Sequence, residues 1–302
     1  MKKVIVRLGN GLGNQLFTYS AAYSFAKKNN AELYIDDESG FYKRYKYELH
    51  NFKISAPIID RKHKFLGNWG RLKRRIIKKF DFKKSFFVEE VNKEKLSYYD
   101  PGKFEFDFQN TLYFEGYFQT EKYFEKYKEK ILHEFSFRDH IIKDQPQVMI
   151  DNIKNSNSVS IHLRKEKFLK DENHKDLEKI NLEHFHKNLE IINKGVKYFD
   201  KNLNNPTYFL WSNNFDNLEK FFPSNKFILV KNNIDKDPAF DLYLMSLCKH
   251  FILSPSTLHY WAAYLSSNSS KICLSPKNIK NKSGYYGFSN NRDIKPNWWK
   301  DI

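Results

Sequence analysis

The chain has 302 residues, 17% of them aromatic, with 28 Phe and 19 Tyr, and a formal net charge of +16. That length and ring area suffice for a full core over about two domains. Two cysteines, Cys248 and Cys273, are too few for a disulfide framework and fit no zinc spacing. No apolar run approaches the ~18 residues of a spanning helix. The opening MKKVIVRLGNGLGNQ stops being apolar at Leu8, where a signal peptide would continue, so a cytoplasmic protein is expected.

Residues 4–8, VIVRL, read as a strand. A turn with Gly9, Gly11 and Gly13 follows, then a helix over 15–27 with Leu16, Tyr19, Ala22, Tyr23 and Ala26 at helical spacing. Residues 31–36 form the next strand, so the chain opens as a parallel β–α–β unit. Residues 40–110 are aromatic and basic with no periodicity that places an element. A strand is predicted over 111–119 and a helix over 120–134. The polar stretch 138–158, with Pro146 and an Asn/Ser cluster, marks a domain boundary and holds a short helix. The expected domains are 1–145 and 146–302. The second alternates strands at 159–163, 207–212, 226–230, 250–254 and 271–275 with helices near 182–194, 214–222, 238–248 and 257–266. This is the pattern of an α/β protein with a parallel sheet, which binds ligands at the carboxyl ends of its strands.

Four motifs carry candidate chemistry. The turn from Arg7 to Gln15, RLGNGLGNQ, departs from a dinucleotide fingerprint because Asn14 stands at the third glycine position. Its glycines permit a tight turn and a close approach of backbone to a ligand or another segment. Asn14 and Gln15 fall at a helix N-terminus, which favours anions and polar ligands. The second motif is His162-Leu163-Arg164 at a strand end, where an arginine can grip a phosphate through two N–H bonds. The third is Trp211-Ser212-Asn213-Asn214, and the fourth is Ser254-Pro255-Ser256-Thr257, which can cap a helix whose amides suit a diphosphate. Three of the four end strands in the same half, which points to a phosphate-bearing ligand. Separately, residues 61–84 concentrate basic side chains. Such a block suits nucleic acid or anionic lipid, or is a solvated helix face.

These segments together resemble the α-1,2-fucosyltransferases of glycosyltransferase family 11. The likeness rests on GLGNQLF at 11–17, EGYFQTEKYF at 115–124, HLR at 162–164, WSNN at 211–214, DLYLMSLCKHFI at 241–252 and STLHYWAAYL at 256–265. The resemblance implies a GT-B-type α/β architecture of two Rossmann-like domains facing a cleft, with the acceptor side in 1–145 and GDP-fucose held by 146–302. It implies transfer of fucose to a galactoside hydroxyl in α-1,2 linkage with inversion, in surface glycan synthesis such as lipopolysaccharide or capsule. No metal and no other cofactor is expected.

On that basis Arg164 neutralises the leaving diphosphate with Lys165 assisting, and Asn14 lies near the reacting centre. Substrate contacts are expected from Gly11, Gly13, Gln15, His162, Lys165, Ser212, Asn213, Asn214, Ser256 and Thr257. The family's Arg-Gly-Asp after H-x-R is Lys165-Glu166-Lys167 here, and its Asn-Ser-Thr-Phe is Pro255-Ser256-Thr257-Leu258. With the Asp missing, Glu166 and Asp171 are the nearest carboxylates for a base, and Glu166 is taken as catalytic. The expected partners are a nucleotide sugar, a glycan acceptor and an anionic membrane met peripherally, through charge alone, by 61–84. Nucleic acid is not expected as a partner. Another nucleotide-sugar donor, a basic nucleic-acid-binding protein and an inactive paralogue are the competing readings.

Overall fold

Val4, Ile5 and Val6 are apolar on both faces of a strand, which suits the interior of a parallel sheet covered on both sides. In the computed structural model, which describes every residue except 42–44, 81–84, 90–96, 167–176, 232, 234, 278–289 and 291, this strand is β1, Lys3–Arg7. With β2 (Glu32–Asp36), β3 (Phe86–Val88) and β4 (Thr111–Glu115) it forms an all-parallel sheet ordered β2–β1–β4–β3. The helix after β1, α1, runs Leu12–Lys28 and so begins before the expected Gln15. Its Ala, Leu and aromatic residues are buried almost all round, and Ser20 returns its hydroxyl to the Leu16 carbonyl at 2.7 Å. The Phe25 ring meets those of Phe87, Phe104, Phe108 and Phe114 at 5.2–5.9 Å, which explains where much of the aromatic content goes.

Within 40–110 the structure adds β3 and a helix α2, Gly67–Lys79. The expected strand 111–119 stops at Glu115, because Gly116 (φ +154°) and Phe118 (φ +49°) leave extended geometry. The expected helix 120–134 is two single turns, Glu121–Tyr123 and Glu125–Tyr127, followed by α3, Lys128–Glu134.

The second sheet begins after two short helices, α4 (Asp139–Lys143) and α5 (Gln147–Asn155). Its strands are β5 (Asn157–Leu163), β6 (Pro206–Ser212), β7 (Phe227–Leu229), β8 (His250–Ile252), β9 (Cys273–Ser275) and β10 (Lys300–Asp301). All pair in parallel, in the order β10–β9–β8–β5–β6–β7. The long helix α6, Leu177–Asn202, packs Phe185, Ile192 and Phe199 against Val159, Ile161 and Leu163 of β5. Gly195 lets α6 approach closely, since a Cβ there would stand 2.7 Å from the Ile252 side chain. Helix α7 (Pro238–Ser246) packs against α8 (Thr257–Leu265), which lies on the other face of β5, where its His259 meets Ser160. The expected helix over 214–222 is one turn, Leu218–Lys220, entered through Asn217 in the left-handed region at φ +56°.

The chain divides into unit 1, residues 1–138 with 280–296, and unit 2, residues 139–279 with 297–302. The expected single boundary at 145/146 thus becomes a first crossing at 138/139 and a return of the chain to unit 1. Within unit 1 the returning Asp293 accepts from the Tyr99 amide (3.1 Å) and from Lys122 Nζ (2.8 Å), and its carbonyl accepts from Thr120 (2.7 Å).

Candidate functional site

In unit 2 the chain leaves β5 toward β6 on one side, while β8 lies on the other. The carboxyl ends of β5 and β8 therefore flank a topological switch point, where an open α/β sheet leaves a crevice. The His162 motif follows β5, the Ser256 motif follows β8, and the Trp211 motif follows the neighbouring β6. Three motifs far apart in sequence are thus brought to one edge of one sheet.

Their contacts are direct. Ser254 donates its hydroxyl to the His162 carbonyl at 2.5 Å. Asn213 donates to the Glu166 carbonyl at 2.7 Å and accepts from the Glu166 amide at 3.3 Å. Asn214 donates to the Glu166 carboxylate at 2.8 Å, and Lys165 Nζ reaches the Asp216 carbonyl at 2.5 Å. Arg164 Nε contacts the Glu166 carbonyl at 3.3 Å. Ser212 is spent on its own turn, donating to the Asn214 carbonyl at 2.7 Å. The WSNN residues therefore clasp the 164–166 loop and fix where its two cations stand. Glu166, expected as a catalytic carboxylate, is tied to Asn214 and anchors that loop. Lys167 and Asp171 lie outside the described residues.

On the β8 side, Ser256 is the N-cap of α8 and its hydroxyl accepts the His259 amide at 3.3 Å. Thr257 is the first helical residue, and the amides of that first turn have no acceptor within the helix. Beneath them His259 is fully buried, with Nε2 3.0 Å from the Ser160 hydroxyl, and its ring lies 5.9 Å from that of His162. Burial, reinforced by Arg164, brings His162 down to about 4, so it is neutral at pH 7. Burial, then His162, lowers His259 well below the ordinary histidine range. Among the described residues the Nδ1 atoms of both rings are buried without a partner. As alternation requires, Leu163 packs in the opposite, apolar layer.

Unit 1 has the same topological feature between β1 and β4. The glycines there serve the chain itself. A Cβ on Gly9 would stand 2.7 Å from the Gly40 carbonyl oxygen, and one on Gly40 would stand 1.8 Å from that of Leu8. Gly11 is the N-cap of α1 and packs under the Tyr45 ring, while Gly13 sits in the first turn of the helix. Gln15, expected to touch substrate, is fully buried. It donates to the Asn10 and Lys46 carbonyls, both at 2.9 Å, and accepts from the Glu48 amide at 3.0 Å. That satisfies its donors and its acceptor inside the fold, so it shapes the loop. Asn14 accepts from Gln119 Nε2 at 2.7 Å, and Thr18 donates to the Gly116 carbonyl at 2.9 Å.

Several polar residues at these edges gave no readable signal in sequence. Glu89, at the end of β3, accepts from the Tyr117 and Phe118 amides at 2.6 and 2.9 Å and so holds the left-handed turn that aims Gln119 at Asn14. Burial raises its carboxyl above the usual range. Glu115, at the end of β4, is buried against ionisation, yet the Arg74 fork and Lys78 hold its carboxyl below that range. In unit 2, burial lifts Asp241 of α7 to about 6, opposed by a 3.0 Å bond from Asn233. Among the described residues, no group of three or more His, Cys, Asp or Glu side chains is placed to hold a metal ion.

With both edges described, likeness to known proteins adds a second line. The chain is 26% identical to an alpha-1,2-colitosyltransferase of Escherichia coli over 91% of this chain and 92% of that protein. It is 24% identical to the O-antigen biosynthesis glycosyltransferase WbnK of Escherichia coli, over 89% and 92%. A mutant of Arabidopsis thaliana FUT1, solved in complex with GDP, matches its fold with a TM-score of 0.52 and 12% identity over 92% of this chain and 71% of that one. The two all-parallel units are those of a GT-B-type α/β enzyme. The sequence profile of Glycosyl transferase family 11 matches residues 3–300, nearly end to end, and the chain belongs to that family of glycosyltransferases.

Proposed function

We propose that this enzyme transfers fucose, or the closely related sugar colitose, from a GDP-linked donor to a galactoside hydroxyl in α-1,2 linkage, with inversion, during synthesis of a surface glycan such as O-antigen. The observation that carries this reading is the edge of unit 2, where the loop bearing Arg164 and Lys165 leaves β5 and the N-terminus of α8 follows the adjacent β8, either side of one switch point. As the glycosidic bond to the diphosphate breaks, negative charge grows on the leaving group. Preorganised positive groups aimed at such charge are worth about 3–4 kcal/mol each. Arg164 meets the diphosphate with a planar fork, Lys165 adds a point charge, and the α8 amides with Thr257 bind its oxygens. His162 stays neutral there, so it adds no like charge beside Arg164. Unit 1 receives the glycan, and Asn14, held by Gln119, makes a polar contact near the reacting hydroxyl.

The test is a transfer assay over GDP-fucose, GDP-colitose, GDP-mannose and UDP-sugars with galactose-terminated acceptors. Product from the first or second donor, with the new bond to O2 of galactose, supports the reading. Transfer from a UDP-sugar alone overturns it. The assay is repeated with excess EDTA, in which activity should persist because side-chain cations and helix amides supply the positive charge. Loss of activity that Mn²⁺ restores would overturn the metal-free scheme.

A further inference from the structure

Helix α2, GNWGRLKRRIIKK, presents two unlike faces. On one, Arg74 and Lys78, four residues apart, both bind the Glu115 carboxylate at the end of β4. Gly70 lies against the Phe65 backbone, where a Cβ would stand 2.4 Å from the carbonyl carbon. The side turned toward unit 1 is therefore polar, charge-paired and held in place. On the opposite face stand Trp69, Leu72 and Ile76, at the i, i+3, i+7 spacing of a single stripe, and Phe80 continues it. They are 84%, 46%, 51% and 56% exposed. None of the residues of α2 is buried. Lys73, Arg75 and Lys79 are exposed and border the stripe, and no acidic residue occurs between 61 and 80.

We infer that α2 is an in-plane membrane helix, seating this stripe among the acyl chains of an anionic bilayer while its flanking cations meet the lipid phosphates. Trp, Leu and Ile on one side with Lys and Arg around them is the arrangement that rewards an interface of oil beneath negative charge. A nucleic acid would gain from the cations and nothing from three large aliphatic and aromatic side chains at the centre of the face. A second copy of the chain would set the cations of one α2 against those of the other, with no acid in the segment to compensate. No helix among the described residues is long and apolar enough to cross a membrane, so the contact is parallel to the surface. This replaces the expectation that the basic block acts through charge alone, and it stands independently of which sugar is transferred.

The experiment is vesicle co-flotation of the full chain with phosphatidylglycerol/phosphatidylethanolamine vesicles and with phosphatidylcholine vesicles. The wild type should bind the first set much better than the second, with part of the binding persisting in high salt. Trp69→Ser with Ile76→Ser should weaken binding about tenfold or more, as loss of buried apolar area from an interfacial helix predicts. Reversal of Lys73, Arg75 and Lys79 to Glu should abolish it. A blue shift of tryptophan emission on adding anionic vesicles should disappear in Trp69→Phe. Transfer to a soluble acceptor, and the melting temperature, should be unchanged in all of these variants. Equal binding to both vesicle sets, or indifference to Trp69→Ser with Ile76→Ser, overturns the proposal. So does a wild type that ignores vesicles but forms dimers dispersed by the same substitutions, which would make the stripe an interface between copies.

Discussion

The two sheets end in the same topological feature and finish it in opposite ways. At the edge of unit 1 the polar groups hold one another: Gln15 is satisfied by backbone, the Asn14 side-chain oxygen accepts from Gln119, and Glu115 pairs with Arg74 and Lys78. At the edge of unit 2, Arg164 donates to the Glu166 carbonyl and Lys165 to the Asp216 carbonyl, and the N-terminus of α8 follows the neighbouring β8. A network of side-chain amides and paired charges suits a glycan, and an arginine on a loop next to a helix N-terminus suits a diphosphate. Shared topology thus supplies the crevice, and the side chains at its edge decide what it takes.

Substitutions can break this contrast. The largest effect is expected at Arg164: Arg164→Ala should lower kcat/KM for the donor by about a hundredfold or more, on the order of 3 kcal/mol, with Arg164→Lys recovering only part. Near-wild-type kinetics in Arg164→Ala would remove the phosphate clamp from unit 2. Next comes Gln15→Leu, which strands the Glu48 amide and two carbonyls in the interior and should cost about 2–4 kcal/mol of stability by denaturant titration. The donor KM of the folded protein should not change. A raised KM at unchanged stability would mean that the unit 1 edge also contacts the nucleotide sugar.

Two pH measurements sharpen the picture of unit 2. His162 is held near 4 in the fold against an ordinary 6.5. Its neutral form is the one that fits, so this contribution is complete above about pH 6.5 and is lost as pH falls toward 4, by about 3 kcal/mol. His162→Gln should flatten the acid limb of a stability–pH curve, and an unchanged limb would assign that limb elsewhere. Asp241 works in the other sense, because burial raises it from 3.8 to about 6. Its contribution is present below about pH 4 and lost as pH rises through 6. Asp241→Asn should therefore stabilise by about 3 kcal/mol at pH 8 and by little at pH 4. Equal effects at both pH values would show that the carboxyl is not buried in the way described.

What was legible in the sequence follows from where burial lies. Residues 159–163, 207–212 and 250–254 are apolar runs in the middle of a sheet, and the motifs at their ends were found because parallel sheets place ligands there. Helix α2 escaped because its apolar stripe faces outward, so no core pattern accompanies it and only its charge is visible. β3 and β10 have three and two residues, too few to show alternation. The helix expected over 214–222 failed at Asn217, whose left-handed backbone breaks a run that composition alone permits. Glu89 could not be found because its importance comes from two amides 28 and 29 residues away. The clasp of Asn213 and Asn214 on the 164–166 loop spans 47 and 48 residues and is equally invisible to local pattern.

The return of residues 280–296 to unit 1 has a consequence for biosynthesis. A ribosome delivers all of β1 to β9 before it delivers Asp293, whose carboxylate and carbonyl tie down Tyr99, Thr120 and Lys122. The amino-terminal unit must therefore wait, incomplete, until β5 to β9 of unit 2 have been made, even though its own sheet strands emerge early. A chain cut after residue 279 would lack the clasp of unit 1 and β10 of unit 2 together. Neither half can be excised as one continuous stretch, so a split or permuted form of the enzyme would need its break in an exposed turn inside a unit.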